Sequence, residues 1–388
     1  MQPTSQISTN WREPLSAVPY TTGVSLHSHT SISEESLSFI QVMGMRFPGV
    51  NAIQRHYEQR CRDRYSLKLD FVRANWRPPL QPRMAYQVEA KQIQRLGLTP
   101  LVSITDHDTI EGTLLLRALP LSRHIPMSVE WSVPFGQTIF HLGIHNLPSG
   151  DGADWMRRFK AFTEAPHNTD HDTQLLMLLR ELHEQPQILI VLNHPLWDLH
   201  SVGETIHVAE LRRFLAEARS CIHALELNGL RHAQENRAVG KLARETGHLL
   251  ISGGDRHGLE PNANINLTTA ANFTEFVEEI RVDRLSHVHF MDQYQQRWEQ
   301  RILRSTLNAV TDFPQFMPGW QKWDDRVFHP NKHGEMQQLS QLWENGRPPR
   351  AVSAAIQLVR LGGLRGVSAP LSLAFMGVNE MEHGLETV

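Results

Sequence analysis

A chain of 388 residues can bury a large core, enough for one domain of α/β-barrel size with an appendage or for two to three smaller domains. A formal net charge of −3 offers no general basic field for nucleic acid, Cys61 and Cys221 are too few for a disulfide framework, and no apolar run reaches the roughly 18 residues that span a bilayer. The opening MQPTSQISTNWREP lacks a basic-then-apolar secretion pattern, so the expected setting is reducing and cytoplasmic, without a membrane partner; the unusual count is histidine, at 22.

Residues 1–22 read as an N-terminal arm. From there to Asp255 short apolar segments recur: VSLHSH, PLVSITDHD, PMSVEWSV, TIFHLGIH, ILIVLNHP, IHALELNG and HLLISGGD. Each has the Val, Ile and Leu content of a buried strand. Between several of them lie segments of helical spacing, among them PRMAYQVEAKQIQRLG and AQENRAVGKLARETG, each closed by a Gly that suits a helix stop. Strand followed by helix, repeated, predicts an α/β fold with a mostly parallel sheet closed into a barrel over 23–285. Ligands sit at the carboxyl ends of such strands, where the His, Asp and Glu clusters fall here.

Two regions depart from the alternation. Residues 40–81 carry seven arginines from Arg46 to Arg77, interleaved with Phe47, Tyr57, Tyr65, Phe71 and Trp76. They read either as a helical recognition insertion near the active face or as a surface excursion whose aromatic residues pack on the barrel. From residue 286 the strand signals stop, and 286–388 reads as a helical C-terminal extension serving oligomerisation or site closure.

The chemistry is carried, in chain order, by His27, His29, Glu34, Asp106, His107, Asp108, Glu130, His141, His194, Glu226, Asp255 and His257. In a strand, residues two apart share a face, so His27 and His29 can grip one ion together. Imidazole and carboxylate without thiolate suit an open site for Mn, Zn or Fe rather than an all-oxygen Ca or Mg site. His145 shares a face with His141 and competes with it for a ligand role. Glu226 is either part of the site or the partner of a buried cation. Arg231 and Arg256 are either phosphate clamps, guanidinium matching phosphate in bidentate fashion, or surface charges. His124, His183, His200, His207, His223 and His248 have no motif support.

The order LHSHT, ITDHDT, a Glu on the third strand, HLG, NHP, a Glu-bearing strand and GGDRHG resembles the PHP family, the polymerase and histidinol phosphatase superfamily of metal-dependent phosphoesterases, over about residues 23–260. The resemblance implies a distorted (β/α)7 barrel with two or three divalent metal ions. Residue by residue, it implies one ion on His27, His29, Glu130 and Asp255. A second would share Glu130 and add His141 and His194, and a third would take His107, His257 and Glu34. Asp106, and with it Asp108, would orient ligands. Apart from the resemblance, the expected proton donor for the leaving alkoxide is a ligand-free His or a metal-bound water near His257. Two departures stand out: Ser25 occupies a position where the family commonly has Asp, and Glu34 is one methylene longer than the usual Asp, with Glu35 beside it.

The expected activity is hydrolysis of a phosphate ester of a small molecule, a nucleotide or a sugar phosphate, by metal-activated water. An exonuclease or nucleic-acid phosphoesterase is the alternative, drawing on the basic and aromatic residues of 40–81 and disfavoured by the near-neutral charge. A non-catalytic scaffold or nucleotide sensor is a third reading. The C-terminal helices leave a homo-oligomer open.

Overall fold

A computed structural model describes residues 4–12, 19–37, 58–59, 62–63, 68, 70–166, 170–199, 201–343 and 346–362. Most of the expected insertion, His200 and everything after residue 362 lie outside the described residues. The strands are β1 (Thr4–Thr9), β2 (Thr22–Ser25), β3 (Glu35–Ser36), β4 (Asn75–Trp76), β5 (Thr99–Val102), β6 (Val129–Phe135) and β7 (Thr138–His145). They continue with β8 (Leu189–Asn193), β9 (Ala224–Asn228), β10 (Leu249–Gly253), β11 (Asn264–Thr268), β12 (Leu285–Phe290), β13 (Val327–Pro330) and β14 (Met336–Gln338). The helices are α1 (Pro82–Arg95), α2 (Glu111–Arg117), α3 (Gly152–Thr163), α4 (His171–His183), α5 (Glu204–Glu217), α6 (Ala233–Thr246), α7 (Phe273–Glu278), α8 (Trp298–Val310), α9 (Leu339–Leu342) and α10 (Arg350–Gly362). Among the described residues no helix is long and apolar enough to cross a membrane.

The described residues divide into two units, one running to Ile32 and from Leu80 to Arg301, the other comprising those of 33–79 and of 302–362. The first is mixed α/β. Its strands form two five-stranded sheets, ordered β1-β12-β11-β2-β5 and β10-β9-β8-β7-β6. Pairs β2–β5, β8–β9 and β9–β10 are parallel. Two single bridges, Ser28 to Arg256 and His107 to Glu130, lie just beyond the sheets' ladders, which themselves do not form one closed ring.

Alternation fails at two places, for local reasons. Between β6 and β7 no helix intervenes: Gly136 takes φ +52° and Gln137 completes a two-residue turn, making an antiparallel hairpin, and β8 pairs antiparallel to β7. The N-terminal arm is not outside the sheet, because β1 pairs in parallel with β12 over Thr4–Thr9 and Leu285–Phe290. Ser8 Oγ lies 2.6 Å from His287 Nε2 and 2.7 Å from His289 Nδ1, which fixes that pairing through side chains. Strand structure therefore does not stop at 286.

Strands β8, β9 and β10 are buried at every position, matching their near-continuous apolar runs. Trp131 of β6 stacks on Phe159 of α3 at 4.3 Å and donates its indole N–H to Thr163 Oγ1, so the helix packs on a dry face of the sheet. Helix α1 begins with Pro82 at its first turn, and α6 ends on Gly247 at φ +73°, the stop its sequence predicts.

The second unit contains a four-stranded sheet, β14-β13-β4-β3. Its strands come from both ends of the discontinuity: Val327 of β13 pairs with Trp76 of β4, and Trp76 in turn with Glu35 of β3. The expectation of a purely helical C-terminal extension is corrected by β13 and β14. These strands are only four and three residues long, too short for a period-two pattern to register.

Candidate metal centre

The first unit gathers side chains from successive strand ends around Glu130. His27 and His29 follow β2, His107 follows β5, Glu130 and His141 lie on β6 and β7, His194 follows β8, Glu226 lies on β9, and Asp255 and His257 follow β10. His27, His194 and Asp255 adopt left-handed backbone, φ +60°, +26° and +51°, as does Asp108 at +52°. Such strain at non-glycine residues costs about 1–3 kcal/mol each and persists where packing over-determines it. It also corrects the strand argument for His27 and His29: β2 ends at Ser25, and a left-handed residue brings the rings to 5.1 Å.

Glu130 is fully buried. Its Oε1 lies 3.1 Å from His27 Nε2, 3.2 Å from His194 Nε2 and 3.3 Å from His141 Nδ1, and its Oε2 lies 3.3 Å from both His29 Nε2 and His107 Nδ1. Asp255 Oδ1 is 3.5 Å from His27 Nε2 and His29 Nε2. Two ligands about 2.1 Å from one ion at the tetrahedral angle stand about 3.4 Å apart, so these separations are those of donors sharing a cation. The sets His27–Glu130–His194, His27–His29–Asp255 and His107–Glu130–His141 each hold their ligand atoms within 4.8 Å, as do His29, His107 and His257. His27 Nε2, His141 Nδ1 and Glu130 Oε2 are buried without meeting hydrogen-bond geometry, which costs free energy unless a cation takes up their lone pairs. The residues fit divalent metal.

Hydrogen bonds set the imidazole tautomers. His27 Nδ1–H donates to Glu226 Oε1, leaving Nε2 as the free lone pair toward Glu130 and Asp255. Glu226 Oε2 accepts the backbone N–H of His194 at 2.6 Å and the Asn228 amide at 3.0 Å, so one carboxylate positions two ligands. His257 Nδ1–H donates to the Asp255 carbonyl at 2.8 Å. Without a cation at Nε2, burial opposes a charge on His27, but Glu130, Glu226 and Asp255 outweigh it and hold its pKa well above the usual value, so a proton takes the place a metal ion would fill. Burial likewise opposes charge on Glu130 and Asp255, yet the surrounding histidines, His27 first, hold both well below the usual carboxylate range.

Other residues singled out in the sequence have partners of their own. Asp106 is buried and accepts the Thr30 N–H at 2.6 Å and the Thr30 hydroxyl at 2.9 Å, bracing the turn that carries His29. Asp108 accepts from the Ser132 N–H and hydroxyl. Arg256 points inward: Nε donates to Glu89 Oε1 at 2.8 Å, Nη1 to the Gly258 carbonyl and Nη2 to the His29 carbonyl. Those bonds occupy the face a phosphate would need. Glu34 is 57% exposed and ion-paired to Arg77 at 2.5 Å, whereas its neighbour Glu35 is buried and accepts the Ser33 hydroxyl. His145 bonds Ser103 Oγ at 2.8 Å, and burial pushes its pKa down to about 3. Arg231 lies 3.8 Å over the ring of Trp197, itself 40% exposed and 5.0 Å from His194.

Sequence reasoning missed Asn193, whose amide donates to Glu130 Oε1 at 2.9 Å, and Glu89, which pairs with Arg256 and receives the Asn262 N–H. Asn193 had a signal, its place before His194 in the NHP motif. Glu89 had none, since it lies in a helix of ordinary polarity far along the chain.

No family model matches the chain, and the search of curated proteins returns no match. Solved structures that resemble it include an amidohydrolase from Chromobacterium violaceum with bound sulfate, 14% identical, covering 60% of this chain and 87% of that one at a TM-score of 0.34. A protein from Bifidobacterium adolescentis assigned as a metal-dependent phosphoesterase is 16% identical over 53% of this chain and 92% of its own, with a TM-score of 0.31. PsfC from Pseudomonas syringae is 13% identical over 58% and 88%, with a TM-score of 0.37. At those scores the likeness is too distant to argue from, and the functional reading rests on the side chains around Glu130.

Proposed function

We propose that the protein is a metal-dependent phosphoesterase of the PHP type, hydrolysing a phosphate ester of a small molecule. The observation that carries this reading is Glu130, a buried carboxylate within 3.3 Å of nitrogens from His27, His29, His107, His141 and His194. One carboxylate with five imidazoles is more donor capacity than a single ion uses. In this reading His27, His29, Glu130 and Asp255 would hold one ion, Glu130, His141 and His194 a second, and His107 and His257 a third. Bound ions supply acidified water and neutralise phosphoryl oxygens. The chain's own part is to fix their donors: Glu226 holds the proton of His27 at Nδ1, the Asp255 carbonyl holds that of His257, and Asp106 braces the His29 turn. Arg231, stacked on Trp197 beside His194, is the cation best placed to meet a phosphate, the role sequence offered equally to Arg256.

The seven strands β2 and β5–β10 then form a distorted barrel. The single bridges from Ser28 to Arg256 and from His107 to Glu130 support this, since they join the two sheets at the ends that carry the ligands.

The test is elemental analysis of full-length protein purified without chelator, paired with phosphate release from a panel of nucleotides and sugar phosphates with Mn supplied. Two or three ions per chain with turnover of a panel member is the expected result. Less than one ion and no turnover would sink the proposal.

A further inference from the structure

Arg231 ends a short loop, Gly229–Leu230–Arg231, that leaves β9 toward α6. On one side the loop is tied to the metal centre. Asn228 is buried, and its Nδ2 donates to Glu226 Oε2 at 3.0 Å and to Asp255 Oδ2 at 3.4 Å, while its Oδ1 accepts the Leu230 N–H at 2.8 Å. The Gly229 N–H donates to the Gly253 carbonyl at 2.7 Å, just before Asp255 in the chain. The loop is thus anchored on Asp255, and its guanidinium ends on Trp197, which lies against His194.

On the other side the loop is held by the first turn of α8. Trp298 Nε1 donates to the Leu230 carbonyl at 3.1 Å, Arg301 Nη1 to the Gly229 carbonyl at 2.6 Å and Arg301 Nη2 to the Arg231 carbonyl at 2.8 Å. Three successive carbonyls are therefore fixed by one helix. Arg301 is 9% exposed, lies 4.0 Å over the Tyr294 ring and, among the described residues, has no carboxylate within ion-pair distance. Burying a cation against carbonyls and a ring alone is costly, and an apolar side chain would fill the space without that cost. What the guanidinium adds is a planar fork that grips two carbonyls at once. Arg231, by contrast, keeps donors in reserve. Its Cζ lies 3.8 Å over the Trp197 ring, a contact through the face of the group that leaves its in-plane N–H donors available. Glu235 Oε1 stands 3.6 Å from its Nε, and neither Nη makes a hydrogen bond among the described residues.

We propose that Arg301, assisted by Trp298, is a positioning residue for phosphate recognition: by fixing the Gly229 and Arg231 carbonyls it aims the Arg231 guanidinium at an anion bound at the metal centre. The inference rests on the reading of Arg231 as the cation that meets phosphate.

The experiment is calorimetric titration of the metal-replete full chain with inorganic phosphate, with KM and kcat for a panel substrate measured beside it, in Arg231→Met, Arg301→Lys and the double variant. Lysine keeps the charge but cannot fork across two carbonyls. Arg301→Lys is therefore expected to weaken phosphate binding roughly tenfold, with the kinetic loss in KM rather than kcat and with metal content and circular dichroism retained. In the Arg231→Met background the same change is expected to add nothing, because it acts through Arg231; a merely structural role would weaken both backgrounds alike. Trp298→Phe, at an exposed position, removes one N–H and keeps the ring, and it is expected to weaken phosphate binding by a smaller factor even where Arg301→Lys does not fold. Unchanged phosphate affinity in Arg231→Met would overturn the role of Arg231 and this inference with it. Weakened binding in Arg231→Met with wild-type affinity in Arg301→Lys and Trp298→Phe, or losses that add in the double variant, would overturn this inference alone.

Discussion

The proton on His27 Nδ1 points at Glu226, and that one hydrogen bond decides which nitrogen faces Glu130. Replacing the acceptor with an amide weakens the bond and frees the ring to flip. Glu226→Gln is therefore expected to lower metal affinity roughly 10–100-fold with the fold intact, measured by competition against a chelator and by circular dichroism. Unchanged affinity would mean that something else sets the tautomer. Arg256 tests the opposite kind of role. Its sequence neighbours are metal-site residues, yet its side chain neutralises Glu89, buried at 0% exposure in α1. Arg256→Met strands that charge, and the expected outcome is a loss of about 3–5 kcal/mol in urea unfolding, with KM for any substrate unchanged. A raised KM without lost stability would return Arg256 to the phosphate. Sequence displayed Glu226 and Arg256 equally, as polar residues at strand ends. What separates them is the partner, and Glu89 lies 167 residues from Arg256, beyond any local pattern.

At the scale of elements, the carboxyl ends of β9 and β10 form one device. A Cβ on Gly253 would stand 1.6 Å from Glu226 Oε1, so only glycine lets that carboxylate lie across to His27. Gly253→Ala is expected to push Glu226 aside and reduce metal affinity. Combined with Glu226→Gln it should add little, because both changes break the same contact; additive losses in the double-mutant cycle would refute that coupling. The apolar runs of β8, β9 and β10 were legible because strands buried on both faces read as continuous Val, Ile and Leu. The β6–β7 hairpin was less so. Both strands were recognised, but their direction depends on the two-residue turn at Gly136 and Gln137, and hydrophobic pattern carries no sense of direction. The ligand cluster was legible as residue types at strand ends. The left-handed backbone at His27, His194 and Asp255 was not, since nothing in an ordinary histidine or aspartate announces φ above zero.

Over the whole molecule, burial keeps several of the described histidines outside the metal centre neutral. Burial lowers His145 to about 3 and His248 and His289 to about 4, and it depresses His223 and His287 as well. Each such ring binds a proton in the unfolded chain near pH 6.5 but not in the folded one. Its stabilisation is complete above that value and declines as pH falls toward the folded pKa, with a slope of up to about 1.4 kcal/mol per pH unit per group. Stability of chelator-treated protein is thus expected to drop from pH 7 to pH 5, read as a fall in the urea midpoint; a constant midpoint would show that these rings titrate normally. Composition flagged the histidines and pointed to metal, whereas His287 and His289 instead hold Ser8, and with it β1, in place. The strand pairings they belong to impose a schedule on synthesis. Thr4–Thr9 finds its partner only after Phe290 is made, and Trp76, paired on one side with Glu35, meets its second partner only after Val327. At about 5–20 residues per second the ribosome spends on the order of ten to fifty seconds between Trp76 and Val327, and through that interval β4 is an open edge that a chaperone, or another nascent chain, can reach first.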